Sequence, residues 1–104
     1  MICFLSARRL KPGAFDEFRR AWEPERWPSE AIRAYHLRSS DDENLVVSFG
    51  LYEGTLADRE RIRDGHGDDA GRLQGIAEHV EETLLEGAFE VVDEVEPTTG
   101  GGSV

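Results

Sequence analysis

The chain reads as a single α+β domain of order β-α-β-β-α-β, and three observations lead there. The first is Leu45–Tyr52, Leu-Val-Val-Ser-Phe-Gly-Leu-Tyr, the most β-prone eight residues present. Leu45, Val47, Phe49 and Leu51 fall on one side of it, and Val46, Ser48, Gly50 and Tyr52 on the other. A strand apolar on both sides belongs in the middle of a sheet with both faces covered. The second observation is the recurrence of Phe15, Phe18, Arg19 and Trp22 at helical spacing, directly after a strand-like opening run. The third is the polar run Ser39-Ser40-Asp41-Asp42-Glu43-Asn44, which separates two alternating stretches as a hairpin connection does. Together they predict the split-βαβ, ferredoxin-like arrangement: a four-stranded antiparallel sheet, helices on one face, and strands one and three at its centre.

Taken in order, Ile2–Leu10 is the first strand, with Ile2, Phe4, Ser6, Arg8 and Leu10 on one side. Lys11-Pro12-Gly13 breaks it, and residues 14–23 follow as an amphipathic helix. Pro24 disfavours helical geometry at Glu23, so the helix stops there and 24–28 is a stiff loop carrying Trp27. Ala31–Arg38 is the second strand and Leu45–Tyr52 the third. After Glu53-Gly54, residues 56–63 suit one or two helical turns, interrupted at Gly65-His66-Gly67. Asp68 or Asp69 can cap a longer helix whose stripe is Leu73, Ile76, Ala77, Val80 and Leu84, with Gly87 as its stop. The last strand is then expected over 88–95, with Arg8 and Arg33 reaching Glu90 or Glu94. Residues 1–96 form one domain, and 97–104 read as a disordered tail with nothing to bury.

A chain of 104 residues holds one core. With 22 acidic against 12 basic residues its formal charge is −10, which repels nucleic-acid backbones and anionic membrane surfaces, so neither is an expected partner. The single Cys3 lies in an apolar run and packs as a small hydrophobe. No ~20-residue apolar stretch and no leader pattern are present, which makes a cytoplasmic protein the expectation. Two helices cover only one face of such a sheet, and the apolar residues on the other face predict a homodimer.

In its opening strand ending at Leu10-Lys11-Pro12-Gly13, its Phe15-x-x-Phe18 helix, its Tyr35-to-Ser40 strand end and its apolar third strand closing in Tyr52-Glu53, the chain resembles the antibiotic-biosynthesis-monooxygenase-like family of the dimeric α/β-barrel superfamily. The resemblance covers nearly the whole chain. It implies two sheets packed as a barrel in a homodimer, with a cavity in each subunit between sheet and helices. Members include cofactor-independent oxygenases of polyketide-like quinols and haem-degrading enzymes. The haem-degrading pattern of Asn, Trp and His maps by position onto Ser6, Tyr52 and, only with extra residues inserted, His66, and all three matches are imperfect.

Proton transfer near neutral pH favours histidine, and there are three. His79 falls with Arg72, Gly75, Glu82 and Glu86 on the face opposite the helical stripe, where it meets solvent. His36 shares a strand face with Ile32 and Ala34, as a buried, satisfied histidine or a base. His66 sits in a loop that can reach a pocket at the end of the central strand. His66, His36 and Tyr52 are therefore the candidate catalytic residues. Ser6, Ser48 and Gly50 leave space that Trp22, Trp27 and Tyr35 can wall, a pocket suited to a flat apolar or aromatic ligand, unless the two tryptophans fill it as core. His66-x-Asp68-Asp69 groups three metal-ligating side chains, but aspartate at a helix start is already explained by capping, and no metal is expected. Nucleotide-binding glycine motifs and G-x-S-x-G are absent from the sequence, so no cofactor is expected either. The sequence thus supports two functions: a cofactor-independent monooxygenase using its substrate's own carbanion to reduce O₂, or a non-catalytic ligand-binding dimer.

Overall fold

A computed structural model describes residues 1–67 and 69–98. Its elements are β1 (Ile2–Leu10), α1 (Phe15–Trp22), β2 (Ala31–Arg38), β3 (Leu45–Tyr52), a 3-10 turn (Leu56–Asp58), α2 (Arg59–Asp64), α3 (Asp69–Ala77) and β4 (Val80–Glu90). The strands form one antiparallel sheet in the order β2-β3-β1-β4. Strands one and three are central, as the alternation of Leu45–Tyr52 requires, and the arrangement is the ferredoxin-like one.

Local chemistry accounts for the breaks. Gly13 takes φ 73° and Gly54 φ 126°, turning the chain out of β1 and β3 in conformations that side chains with a Cβ avoid. In α1 the acidic Asp16 and Glu17 lie in the first turn and Arg19 and Arg20 in the last, matching the helix dipole at both ends. Glu23 adopts φ −58° and ψ 122°, extended as the residue before a proline must be, and α1 ends there.

The core is split. Leu10, Phe18, Val46 and Ile76 form one cluster, against which Phe15, Ala21, Trp22 and Val80 pack. Ile2, Tyr52 and Ile62 form a second, extended by Phe4, Ala31, Leu56 and Ala88. Both lie on the face of the sheet that carries the helices. The register fixes which residues share that face: Phe4 opposite Gly50, Ser6 opposite Ser48 and Arg8 opposite Val46. Cys3, Leu5 and Ala7 on β1 face the other way, with Leu51, Phe49 and Val47 beside them. On that second face Tyr35 stacks on Phe49 at 5.1 Å, and Leu37, Leu85 and Phe89 are exposed, with no helix over them among the described residues.

The C-terminal third departs from expectation. The long helix reaching Leu84 is instead the nine-residue α3, and β4 begins at Val80 and ends at Glu90 where a strand over 88–95 was expected. β1 explains the change. It offers partners from Ile2 to Leu10, which pair with Glu90 back to Val80; a strand starting at residue 88 would have met only Ile2, Cys3 and Phe4. Leu84 is therefore exposed on β4, Gly87 lies within that strand, and His79 sits in the turn between α3 and β4. Arg8 pairs with Glu86 and Arg33 reaches the Tyr35 hydroxyl at 3.5 Å, in place of Glu90 or Glu94. Residues 91–98 carry no regular structure, and the rest of the expected tail lies outside the described residues. Among the described residues no helix is long and apolar enough to cross a membrane.

Candidate functional site

Between the two core clusters the middle of the sheet presents small and polar side chains in place of apolar ones. Ser6, Ser48 and Gly50 form the floor of a cavity of about 400 Å³. Phe4, Trp22, Leu73 and Ile76 supply apolar wall, Tyr52 and His66 close one end, and Arg8, Arg63 and Arg72 reach it with Asp69 and Glu86. A volume of that size holds a one- to three-ring ligand.

Tyr52 and His66 form the most constrained pair. Both are buried, and Tyr52 Oη lies 2.7 Å from His66 Nε2. His66 Nδ1 is 3.2 Å from the carbonyl oxygen of Arg63, which can only accept, so Nδ1 carries the proton. Nε2 is left with its lone pair, and the Tyr52 hydroxyl donates to it. Burial lowers the His66 pKa, opposed by the Arg63 carbonyl; Arg72 lowers it further and Asp69 raises it. The imidazole is therefore neutral at pH 7, in its base form. Burial pushes the Tyr52 phenol up to about 12, with the nearby Arg72 pulling the other way, so the phenol keeps its proton for donation.

Glycines hold this pair in place by permitting close approach. A Cβ at Gly50 would lie 2.9 Å from Tyr52 Cε1, so the phenol rests on bare backbone, and any side chain there displaces it from His66. A Cβ at Gly65 would meet Pro28 at 2.8 Å, and at Gly67, where φ is 98°, Glu25 at 2.8 Å. The Gly-His-Gly loop is thereby packed tightly onto the 24–28 segment. His66 is only 5% exposed.

His36 is placed otherwise. Its Nδ1 lies 2.7 Å from Ser48 Oγ, and its ring meets Trp22, Phe18 and Phe15 edge-on at 4.5, 5.8 and 6.2 Å. Burial lowers its pKa, and Arg19 adds to this. It stands behind Ser48 and does not line the cavity. Of the expected aromatic walls Trp22 lines it; Trp27, 41% exposed, packs behind Trp22 and His66 at 6.0 and 5.6 Å. Tyr35 is on the opposite face of the sheet, because its register partner is Phe49 and not Gly50 or Ser48. Asp68 of the His66-x-Asp68-Asp69 grouping lies outside the described residues, and among the described residues no three metal-ligating side chains converge.

Arg8 and Arg72 were not among the expected site residues. Arg8 could have been found, since it shares a face with Ser6 by simple alternation. Arg72 could not, because an apolar stripe phased through Leu73 turns it to solvent, whereas Leu73 is 45% exposed and the Arg72 side chain 17%.

This geometry defines a ferredoxin-like domain with a ligand-sized cavity between sheet and helices. No protein-family model matches the chain, and no curated protein matches it in sequence. Solved structures do. A proposed antibiotic biosynthesis monooxygenase from Chloroflexus aurantiacus J-10-fl superposes with TM-score 0.70 at 7% identity, over 91% of this chain and 96% of that one. A second proposed antibiotic biosynthesis monooxygenase, from Nitrosomonas europaea, gives 0.62 at 17% identity over 86% and 94%. A conserved protein from Methanosarcina mazei Go1 gives 0.66 at 11% identity over 86% and 90%. The chain thus has the fold of antibiotic-biosynthesis-monooxygenase-like proteins, as its strand endings and helix pattern had suggested; at these identities the likeness is one of fold.

Proposed function

We propose that the protein is a cytoplasmic homodimer whose cavity binds a small aromatic ligand and oxidises it as a cofactor-independent monooxygenase. The observation that carries the reading is the buried Tyr52–His66 hydrogen bond at the cavity wall, with the tautomer of His66 fixed by Arg63. A quinol-like substrate hydroxyl passes its proton to Tyr52 Oη as the Tyr52 proton moves to His66 Nε2, the two transfers together delivering one proton to a neutral base. The substrate anion, with its charge spread onto a ring carbon, then reduces O₂. One oxygen atom enters that carbon, replacing two hydrogens as a carbonyl, and the other leaves as water. The apolar wall of Phe4, Trp22, Leu73 and Ile76 keeps bulk water from the anion. The uncovered sheet face supports the dimer.

Oxygen uptake with a panel of quinols, corrected for their spontaneous oxidation, tests the reading. Uptake is expected to be flat from alkaline pH down through the ordinary imidazole value of about 6.5 and to fall only below it. The sign follows from His66, whose pKa is lowered, so the base form persists to lower pH than for a free imidazole. Folding stability declines in the same direction, because protonating this buried ring favours the unfolded chain. If no quinol is consumed while an aromatic ligand still binds in the cavity, the protein is a non-catalytic ligand-binding dimer.

A further inference from the structure

The cavity is positive in a negative protein. Three guanidinium groups reach it, Arg8 from β1, Arg63 from α2 and Arg72 from α3, against the carboxylates of Asp69 and Glu86, in a chain of formal charge −10. Two of the three are not surface groups. The Arg8 side chain is 7% exposed, donating from Nη1 to Ser6 Oγ at 2.6 Å and from Nη2 to Glu86 at 2.8 Å, and Glu86 itself is 57% exposed. The cation is thus buried while its counter-ion lies largely in water. Arg72, 17% exposed, donates from Nε to the Trp22 carbonyl at 2.6 Å and lies over the Trp22 ring at 5.1 Å. Among the described residues, its ion pair with Asp69 is long, Nη1 to Oδ1 at 3.7 Å, beyond hydrogen-bond distance. Arg8 and Arg72 also repel one another across the cavity, and burial opposes the charge of each. Desolvated cations compensated at long range or from solvent form an incomplete ion network, and an anion entering the cavity completes it.

We propose that the ligand is an aromatic acid, whose carboxylate is bound by Arg8 and Arg72 beside Ser6 while its ring lies against Phe4, Trp22 and Ile76. This deepens the reading above and rests on the cavity being a ligand site, though not on its being catalytic. Arg72 also acts electrostatically on Tyr52, His66 and His36, so a bound carboxylate shields all three from its charge. The acid group accordingly sits where it favours the protonation of His66 that turnover requires.

Calorimetric titration with 1-naphthoate and its neutral isostere 1-naphthylmethanol, at pH 7.5 and low salt, is the test. The acid is expected to bind the natural chain about tenfold or more tightly than the alcohol, as charge-assisted hydrogen bonds to buried arginine imply. In Arg72→Gln the alcohol's affinity holds and the preference falls below about threefold, while Arg20→Gln, exposed on α1 and outside the cavity lining, keeps it. Equal affinity of the two probes for the natural chain overturns the aromatic-acid assignment and leaves the cavity reading standing. Binding of neither overturns both. A preference unchanged by Arg72→Gln overturns the role of Arg72. Should Arg72→Gln fail to fold, Arg72→Lys replaces it, keeping the charge but not the planar fork; a preference reduced several-fold supports the assignment, and an undiminished one overturns it.

Discussion

Phe49→Asp is expected to run as an 11.7 kDa monomer where the natural chain runs at about twice that mass. Phe49 lies on the sheet face away from the helices, stacked on Tyr35, with Leu5 beside it on β1. Leu37, Leu85 and Phe89 extend the patch, each more than 40% exposed in the single chain. A self-associating interface of ordinary size removes ~800 Å² from each partner. At ~25 cal/mol per Å² its apolar part contributes well over ~10 kcal/mol before association costs of about 4–15 kcal/mol. Two-fold symmetry places two aspartates in each interface, and each buried unpaired charge costs several kcal/mol, enough to raise the dissociation constant by orders of magnitude. The fold itself should survive, because the helix-covered clusters do not include Phe49. Light scattering after size exclusion, with circular dichroism on the same fractions, measures both. A natural chain that is monomeric at micromolar concentration, with no concentration dependence, sinks the dimer.

The second large effect belongs to Tyr52 and His66. Tyr52→Phe keeps the ring over Gly50 but removes the hydroxyl that reaches Nε2, and His66→Ala removes the base. Each is expected to lower quinol-dependent oxygen uptake by roughly 10²–10⁴, the range for a positioned proton-transfer group. The double variant should be little slower than the worse single one, because the two groups act as a relay and their losses do not add. Tyr52→Phe also leaves Nε2 without its donor, a stability cost of about 1–3 kcal/mol visible in urea titration. His36→Ala is the control: it removes a ring packed among Trp22, Phe18 and Phe15, so stability drops while the rate per folded molecule changes by less than about threefold. A Tyr52→Phe rate equal to that of the natural chain overturns the relay.

The parts of the fold that could be read in the sequence are those where local pattern and tertiary pairing agree. The first three strands alternate cleanly and are bounded by Gly13, by Gly54 and by the polar 39–44 run, so their limits follow from chain chemistry. Residues 80–90 are different. Val-Glu-Glu-Thr-Leu-Leu-Glu-Gly-Ala-Phe-Glu is rich in helix formers, and Val80 and Leu84 extend the spacing of Leu73 and Ile76, yet the free edge of β1 takes the whole segment into the sheet. The site divides along the same line. Ser6, Ser48, Gly50 and Tyr52 share a face by alternation, and His66 was marked by its place near the end of β3. What could not be read was the depth of His66, which depends on two glycines meeting Pro28 and Glu25 some forty residues away in the chain. Arg72 was hidden by the apolar stripe drawn through Leu73, a residue that α3 leaves exposed.

The carbonyl of Arg63 that holds the His66 proton belongs to the last turn of α2, a helix of only six residues. Helices that short have no stability of their own in water and persist by docking, here through the buried Ile62. The basicity of Nε2 is thus coupled to a short element that depends on docking. When α2 frays, the imidazole is free to exchange tautomers and Tyr52 loses a defined acceptor, while the β-sheet beneath is untouched. Function should therefore fail before the fold does. In a urea series, inactivation should precede the loss of sheet ellipticity; coincident midpoints would show instead that α2 and the sheet melt as one unit.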